Sequence, residues 1–191
     1  MGAPDLIKSG SDAGACATVR ARILERIPQQ APFRFVDSID ELSPERARGS
    51  YRFRADEFFY AGHFPEQPVT PGVILIECMA QIVLVPLALF LSASEAEAQA
   101  KSDANAATSG AAGPGLPFFA EADQVEFNAP VRPGDRVLVS GERIYFRRGK
   151  LKCRVEMSFA DGSPVASAVL AGVQVAAASD KAAGETARKT K

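Results

Sequence analysis

The sequence predicts an α+β fold in which an antiparallel sheet curls around one long buried helix. Three observations carry this. Residues 47–59, ARGSYRFRADEFF, alternate apolar and charged side chains with the period of a strand. The run from Gly72 to Leu91 is apolar apart from Glu77 and Gln81. The last third is a series of short strand-like segments separated by turn sequences. A helix that is apolar on all sides has to sit inside something, and strands on both sides of it in the chain supply the wrapping.

Each element has its own signal. Ile23, Leu24 and Ile27 suggest a short helical turn, and Phe33, Phe35 and Val36 begin a strand. In 47–59, Tyr51, Phe53 and Ala55 alternate with Arg52 and Arg54, as in a half-buried strand. Thr70 is placed to act as the N-cap of the helix, and Pro71 fits its first position. Pro86 is expected to kink or end that helix, because it lacks an N–H and crowds the carbonyl of Ile82. Beyond it, QVEFNAP, RVLVSGERIYFRR, KLKCRVEMSF and PVASAVLAGVQV read as strands joined at VRPGD, RRGK and ADGS.

The 191 residues suffice for one domain, expected over 19–176. Residues 1–18 and 177–191 read as disordered tails. Residues 92–117 read as a flexible insertion, with Leu116 as its one large apolar side chain. A composition 47% hydrophobic and 24% charged, with a formal net charge of −1, is that of a soluble globular protein. That charge argues neither for a nucleic acid nor for an anionic membrane surface, and no nucleic-acid partner is expected. The three cysteines, Cys16, Cys78 and Cys153, form no CxxC pair, and one histidine leaves no zinc-finger spacing, so no metal is expected. They read as buried or idle thiols of a reducing compartment. The N-terminal residues lack the apolar core of a secretory signal, and Leu6 stands where a myristoylation motif needs Ser or Thr. The apolar run is long enough to cover a bilayer. Its Glu77, Gln81 and Pro86, with no basic flank after it, favour a core helix, so no membrane span and a cytoplasmic location are expected.

The chemistry concentrates in residues 61–81, AGHFPEQPVTPGVILIECMAQ, which contain the chain's only histidine, His63. Taken singly, His63 is an ordinary polar loop residue, and Glu77 is a carboxylate satisfied by a backbone group, by Gln81 or by an arginine. Taken together they form an acid–base pair. A carboxylate buried in an apolar helix is costly and gains the ability to donate a proton. Imidazole is the side chain suited to accept one near neutrality. The glycine and prolines around His63 hold the loop in one shape and lead it into a helix N-terminus. The first-turn N–H groups there, such as that of Gly72, lack helical partners and suit a developing oxyanion. Base, acid and oxyanion donor together equip a site to remove a proton alpha to a carbonyl and expel a beta leaving group.

HFPEQPVTPGVILIECMAQ resembles the active-site motif of the FabZ-type 3-hydroxyacyl-acyl carrier protein dehydratases, approximately HFPGxPVMPGxxxxEAMAQ. ERIPQQAPFRFVDSIDEL and FFAEADQVEFNAPVRPGDRVLV resemble the family's opening segment and the strand after its helix. The similarity covers roughly residues 23–175 without the insertion. It implies a hot-dog fold, with the sheet wrapped around one long central helix. It implies dehydration of (3R)-3-hydroxyacyl thioesters to trans-2-enoyl thioesters, in fatty acid or related lipid or polyketide-like biosynthesis. His63 would take the proton from C2, Glu77 would protonate or orient the departing hydroxyl, and the Gly72 N–H would hold the thioester oxygen, with Phe64 and Val73 beside it. The resemblance implies no cofactor. It implies an acyl carrier protein as partner, and a homodimer whose sites take His and Glu from opposite subunits, in many members as a trimer of dimers. Related dehydratase-isomerases carry Asp at the position of Glu77 and Trp near Ala80, so dehydration without isomerisation is expected. A non-catalytic acyl-thioester binder and a thioesterase are the rival functions for such a fold.

An acyl tunnel beside the helix is expected from Ile76, Ala80 and Val83, with Phe118 or Phe119 as a gate, although each also suits an ordinary core. Arg132, Arg136, Arg147, Arg148, Lys150 and Lys152 make the second half locally basic, as a dock for an acidic carrier protein or as solvated hairpin residues. The chain departs from the family at Glu66 for glycine, Thr70 for methionine, and Gln29 and Gln30 for a frequent basic pair.

Overall fold

A computed structural model describes residues 13–102 and 116–175. Helix α1 spans Ala13–Arg26. It is longer than the turn expected around Ile23, and it begins within the segment expected to be a tail. Its alanines favour helix, and Ile23 and Ile27 anchor it in the core. The rest of the expected tails, 1–12 and 177–191, lies outside the described residues, as does residue 176.

Six strands follow: β1 Ser38–Leu42, β2 Arg46–Arg52, β3 Leu116–Phe127, β4 Arg136–Arg147, β5 Lys150–Phe159 and β6 Pro164–Val175. They form one sheet in the order β1-β2-β4-β5-β6-β3, with every neighbouring pair antiparallel. The β4–β5 hairpin turns at Arg148 and Gly149, both with positive φ, the geometry that suits the twist of two paired strands. Alternate residues of β5, Leu151, Cys153, Val155 and Met157, are buried against the helix.

Between β2 and β3 the chain forms the central helix. It comprises α2, Gly72–Met79, a π-helical turn, Ala80–Leu84, and α3, Val85–Ser102. Pro86 neither ends nor breaks it. The wider π turn directly before Pro86 gives its ring room at the Ile82 carbonyl. The same turn presses three successive side chains into the sheet. A Cβ on Gly49 would stand 3.0 Å from Ile82, one on Gly141 2.5 Å from Val83, and one on Gly172 3.2 Å from Leu84. Glycines on β2, β4 and β6 thus let the sheet close around the helix. The helix is apolar and long enough to cross a membrane, but 78% of its apolar window is buried inside the chain.

Two expectations change. Phe33, Phe35 and Val36 do not enter the sheet, which begins at Ser38. The backbone of this segment bonds to the Gln81 side chain instead. In 47–59 the strand stops at Arg52, and Ala55 is exposed in the turn that follows. The expected insertion is also partly regular: α3 occupies its first residues to Ser102, and Leu116 and Pro117 open β3. Residues 103–115 lie outside the described ones.

Candidate active site

Two half-sites flank the start of α2. The first is the loop carrying His63. An aromatic cluster of Phe35, Tyr51, Phe53, Phe59 and Tyr60 seats it, with ring centroids 4.6–6.5 Å apart. The Phe59 carbonyl accepts the His63 N–H at 2.9 Å, and the His63 carbonyl accepts the Val69 N–H at 3.1 Å. The imidazole Nδ1 bonds the Val69 carbonyl at 2.8 Å. A carbonyl only accepts, so Nδ1 carries a proton, and in the neutral imidazole Nε2 is then the acceptor nitrogen. Phe64 stacks on the imidazole with centroids 4.1 Å apart, and is itself 57% exposed. Glu66 points outward and is exposed.

The loop joins α2 through Thr70 and Pro71. Thr70 does not cap the helix. Its buried hydroxyl shares a hydrogen bond with the Tyr60 hydroxyl at 2.7 Å, and no side chain caps this end. The N-cap is Pro71, one position later than expected, and its carbonyl accepts the Ile74 and Leu75 N–H groups. No threonine hydroxyl therefore competes for the Gly72 N–H. Glycine at 72 leaves room for the Phe127 ring, whose tip would lie 2.7 Å from a Cβ there and would have to shift to admit one. Val73, next along, is 71% exposed.

The second half-site is on the helix. Glu77 is half-buried, and one turn later Gln81 is fully buried. Gln81 Nε2 donates to Glu77 Oε1 at 2.9 Å and to the Phe33 carbonyl at 3.0 Å, while its Oε1 accepts the Phe35 N–H at 2.7 Å. Every polar capacity the amide can turn inward is used, so the carboxylate is held in one orientation. Burial pushes the neighbouring Cys78 thiol well up, so it stays protonated beside the acid.

Glu77 lines a narrow crevice of about 30 Å³. Ala80, Leu84, Val85 and Ala88 continue its helical wall, Phe118 and Phe119 of β3 face them, and Gln29 and Gln174 complete it. Of the expected tunnel residues, Ala80, Phe118 and Phe119 are here. Val83 is not, because it faces Gly141 in the sheet, and Ile76 packs partly buried against the core. His63 does not line this crevice.

The expected basic patch is not brought together. Arg136 opens β4 and Arg132 lies in the loop before it, while Arg147, Arg148 and Lys150 lie at its far hairpin. Twelve residues of strand put these ends roughly 35 Å apart. Lys150 pairs with Glu121 at 3.1 Å and Lys152 with Asp123 at 3.0 Å, both acids on β3. Arg136 bonds the Ser50 hydroxyl, and Arg147 lies over the Tyr145 ring.

Two functional features escaped the sequence reading. Gln81 pairs with Glu77 at helical spacing, but its hold on the backbone 46 and 48 residues earlier leaves no local signal. Tyr60 carried no signal as the partner of Thr70, although a buried tyrosine hydroxyl needs one.

The family model of the FabA-like domain matches residues 27–169. A curated 3-hydroxyacyl-acyl-carrier-protein dehydratase FabZ of Caldicellulosiruptor saccharolyticus is 33% identical over 151 residues, covering 72% of this chain and 94% of the relative. The enzyme of the same name from Bacillus subtilis is 34% identical over 154 residues, covering 74% and 96%. Among solved structures, the dehydratase heterocomplex ApeI:P of Xenorhabdus doucetiae superimposes with a TM-score of 0.59 at 15% identity, over 80% of this chain and 90% of that one. Cj0977 of Campylobacter jejuni, a sigma28-regulated virulence protein, gives 0.55 at 10% identity, over 88% and 96%. At these identities the two structures speak for the fold.

Proposed function

The chain belongs to the FabA-like family as a FabZ-type hot-dog dehydratase, and from that premise we propose that it converts (3R)-3-hydroxyacyl thioesters of an acyl carrier protein to trans-2-enoyl thioesters. The observation that carries the reading is the tautomer of His63. With its Nδ1 proton given to Val69, the imidazole presents Nε2 as a base.

In the proposed reaction Nε2 of His63 takes the proton from C2. The charge that develops on the thioester oxygen is met by the Gly72 N–H at the helix N-terminus. The C2–C3 double bond forms as the C3–O bond breaks, and Glu77 gives its proton to the leaving hydroxyl, which departs as water. The proton held by His63 then passes back to the carboxylate. Glu in place of Asp at 77 goes with dehydration alone.

The His63 of one chain works with the Glu77 of a second copy. Two features support this. Within the chain His63 stands outside the Glu77 crevice. The edge strand β3 also exposes Phe118, Phe119 and Phe127, an apolar edge that a partner would cover. The acyl chain runs along the crevice past Phe118 and Phe119, which are exposed and have to move aside. The reading carries a cytoplasmic location with it, where an acyl carrier protein would be met.

Mass analysis of the products separates this activity from its rivals: dehydration gives the enoyl thioester, and thioester hydrolysis would release free thiol. His63→Ala and Glu77→Gln should each lower kcat by about 10²–10⁴-fold. Co-refolding these two inactive variants should restore activity, because a mixed dimer contains one intact His–Glu site. Full activity in either single variant would remove the acid–base pair. Two inactive variants that stay inactive when mixed would place both groups in one subunit.

A further inference from the structure

Polar groups along the Glu77 crevice divide into those already satisfied and one that is not. Gln174 is satisfied. Its Oε1 accepts the Ser92 hydroxyl at 2.7 Å, and its Nε2 donates to the Ala88 carbonyl at 3.3 Å. The Glu77 carboxylate receives Gln81. Gln29 is the exception. Its Oε1 is buried without a hydrogen-bond partner, the one such side-chain atom among the described residues. It lines the same crevice as Glu77, Phe118 and Phe119. Its neighbour Gln30 turns away, bonding the Ile27 and Pro28 carbonyls. A buried acceptor left unpaired is destabilising, and an apolar side chain of the same size would avoid that penalty.

We propose that Gln29 selects the acyl chain: its Oε1 accepts a hydrogen bond from a second hydroxyl on the acyl group lying along the Glu77 crevice, so that the substrate is an oxygenated chain rather than a plain alkyl one. The crevice around this amide is otherwise apolar, which suits a hydrocarbon chain interrupted by one donor. A site built to bond a hydroxyl discriminates against the chain lacking it, because the site's own group is then left unpaired. This rests on the dehydratase reading above for the identity of the occupant.

The test uses 3-hydroxyacyl pantetheine thioesters of equal length, one plain and the others carrying a second hydroxyl moved carbon by carbon toward the chain end. The wild-type protein should favour one hydroxylated member over the plain chain by roughly tenfold or more in kcat/KM. Gln29→Leu, which removes the acceptor, should bring that ratio near one. Gln29→Glu, which keeps it, should preserve the preference even if the leucine variant loses stability. No preference in the wild type overturns the proposal. So does a ratio unchanged in Gln29→Leu, or a loss equal for all substrates, since water or a group common to every chain would then be the donor. The same ratios are read by calorimetry with non-reacting thioether analogues. If neither chain turns over, the dehydration reading fails, and the binding ratio still decides the role of Gln29.

Discussion

The His63 loop and the Glu77 face of the helix hold their catalytic groups by different means. The loop uses backbone: carbonyls of Phe59 and Val69 fix the histidine, and side chains around it, such as Phe64, are exposed. The helix uses a side chain: the buried amide of Gln81 fixes the carboxylate and the backbone of Phe33 and Phe35 together. A backbone carbonyl survives any substitution, whereas an amide does not. The helix half-site is therefore the one a single mutation can dismantle, and three substitutions break or sharpen the contrast.

Gln81→Leu should have the largest effect. It frees Glu77 to rotate and leaves the Phe33 carbonyl and the Phe35 N–H without their amide partner, at about 1–3 kcal/mol each. Both the thermal midpoint and kcat should fall. A variant with normal stability and normal kcat would show that the amide orients nothing. Gly72→Ala is next. The added methyl meets the Phe127 ring at 2.7 Å, so the helix start or the ring must shift, costing about 1–3 kcal/mol. Because the shift occurs at the proposed oxyanion donor, kcat should fall while KM changes less. An equal change in both would point to substrate binding instead. Thr70→Val should be the mildest. It leaves the Tyr60 hydroxyl unpaired beneath the loop, at about 1–2 kcal/mol. Helix capping is untouched, so the thermal midpoint should drop with little loss of kcat. A large loss of kcat would mean that the hydroxyl pair holds the His63 loop in place.

Much of this arrangement was legible in the residues. The strand period up to Tyr51 and Arg52, the turn at Arg148 and Gly149, and the four-residue spacing of Glu77 and Gln81 each report on contacts between near neighbours in the chain. Legibility failed where a distant partner overrode the local pattern. Phe33–Val36 look like a strand, but the Gln81 amide holds their backbone. Thr70 looks like a cap, but Tyr60 takes its hydroxyl. Pro86 looks like a helix stop, but the preceding π turn makes room for it. Val83 looks like a tunnel residue, but the extra residue in that turn aims it at Gly141.

Spacing and composition alone therefore determined that this chain wraps a sheet around one apolar helix, and that its only histidine and a helical acid stand a short loop apart. Period and turn chemistry act between neighbours, and a linear string records neighbours. Only the folded chain decided which glutamine is satisfied and which is left with an open acceptor, which tautomer His63 adopts, and which helix face meets the crevice. Those depend on hydrogen bonds and packing between residues far apart in sequence, and no local period encodes them.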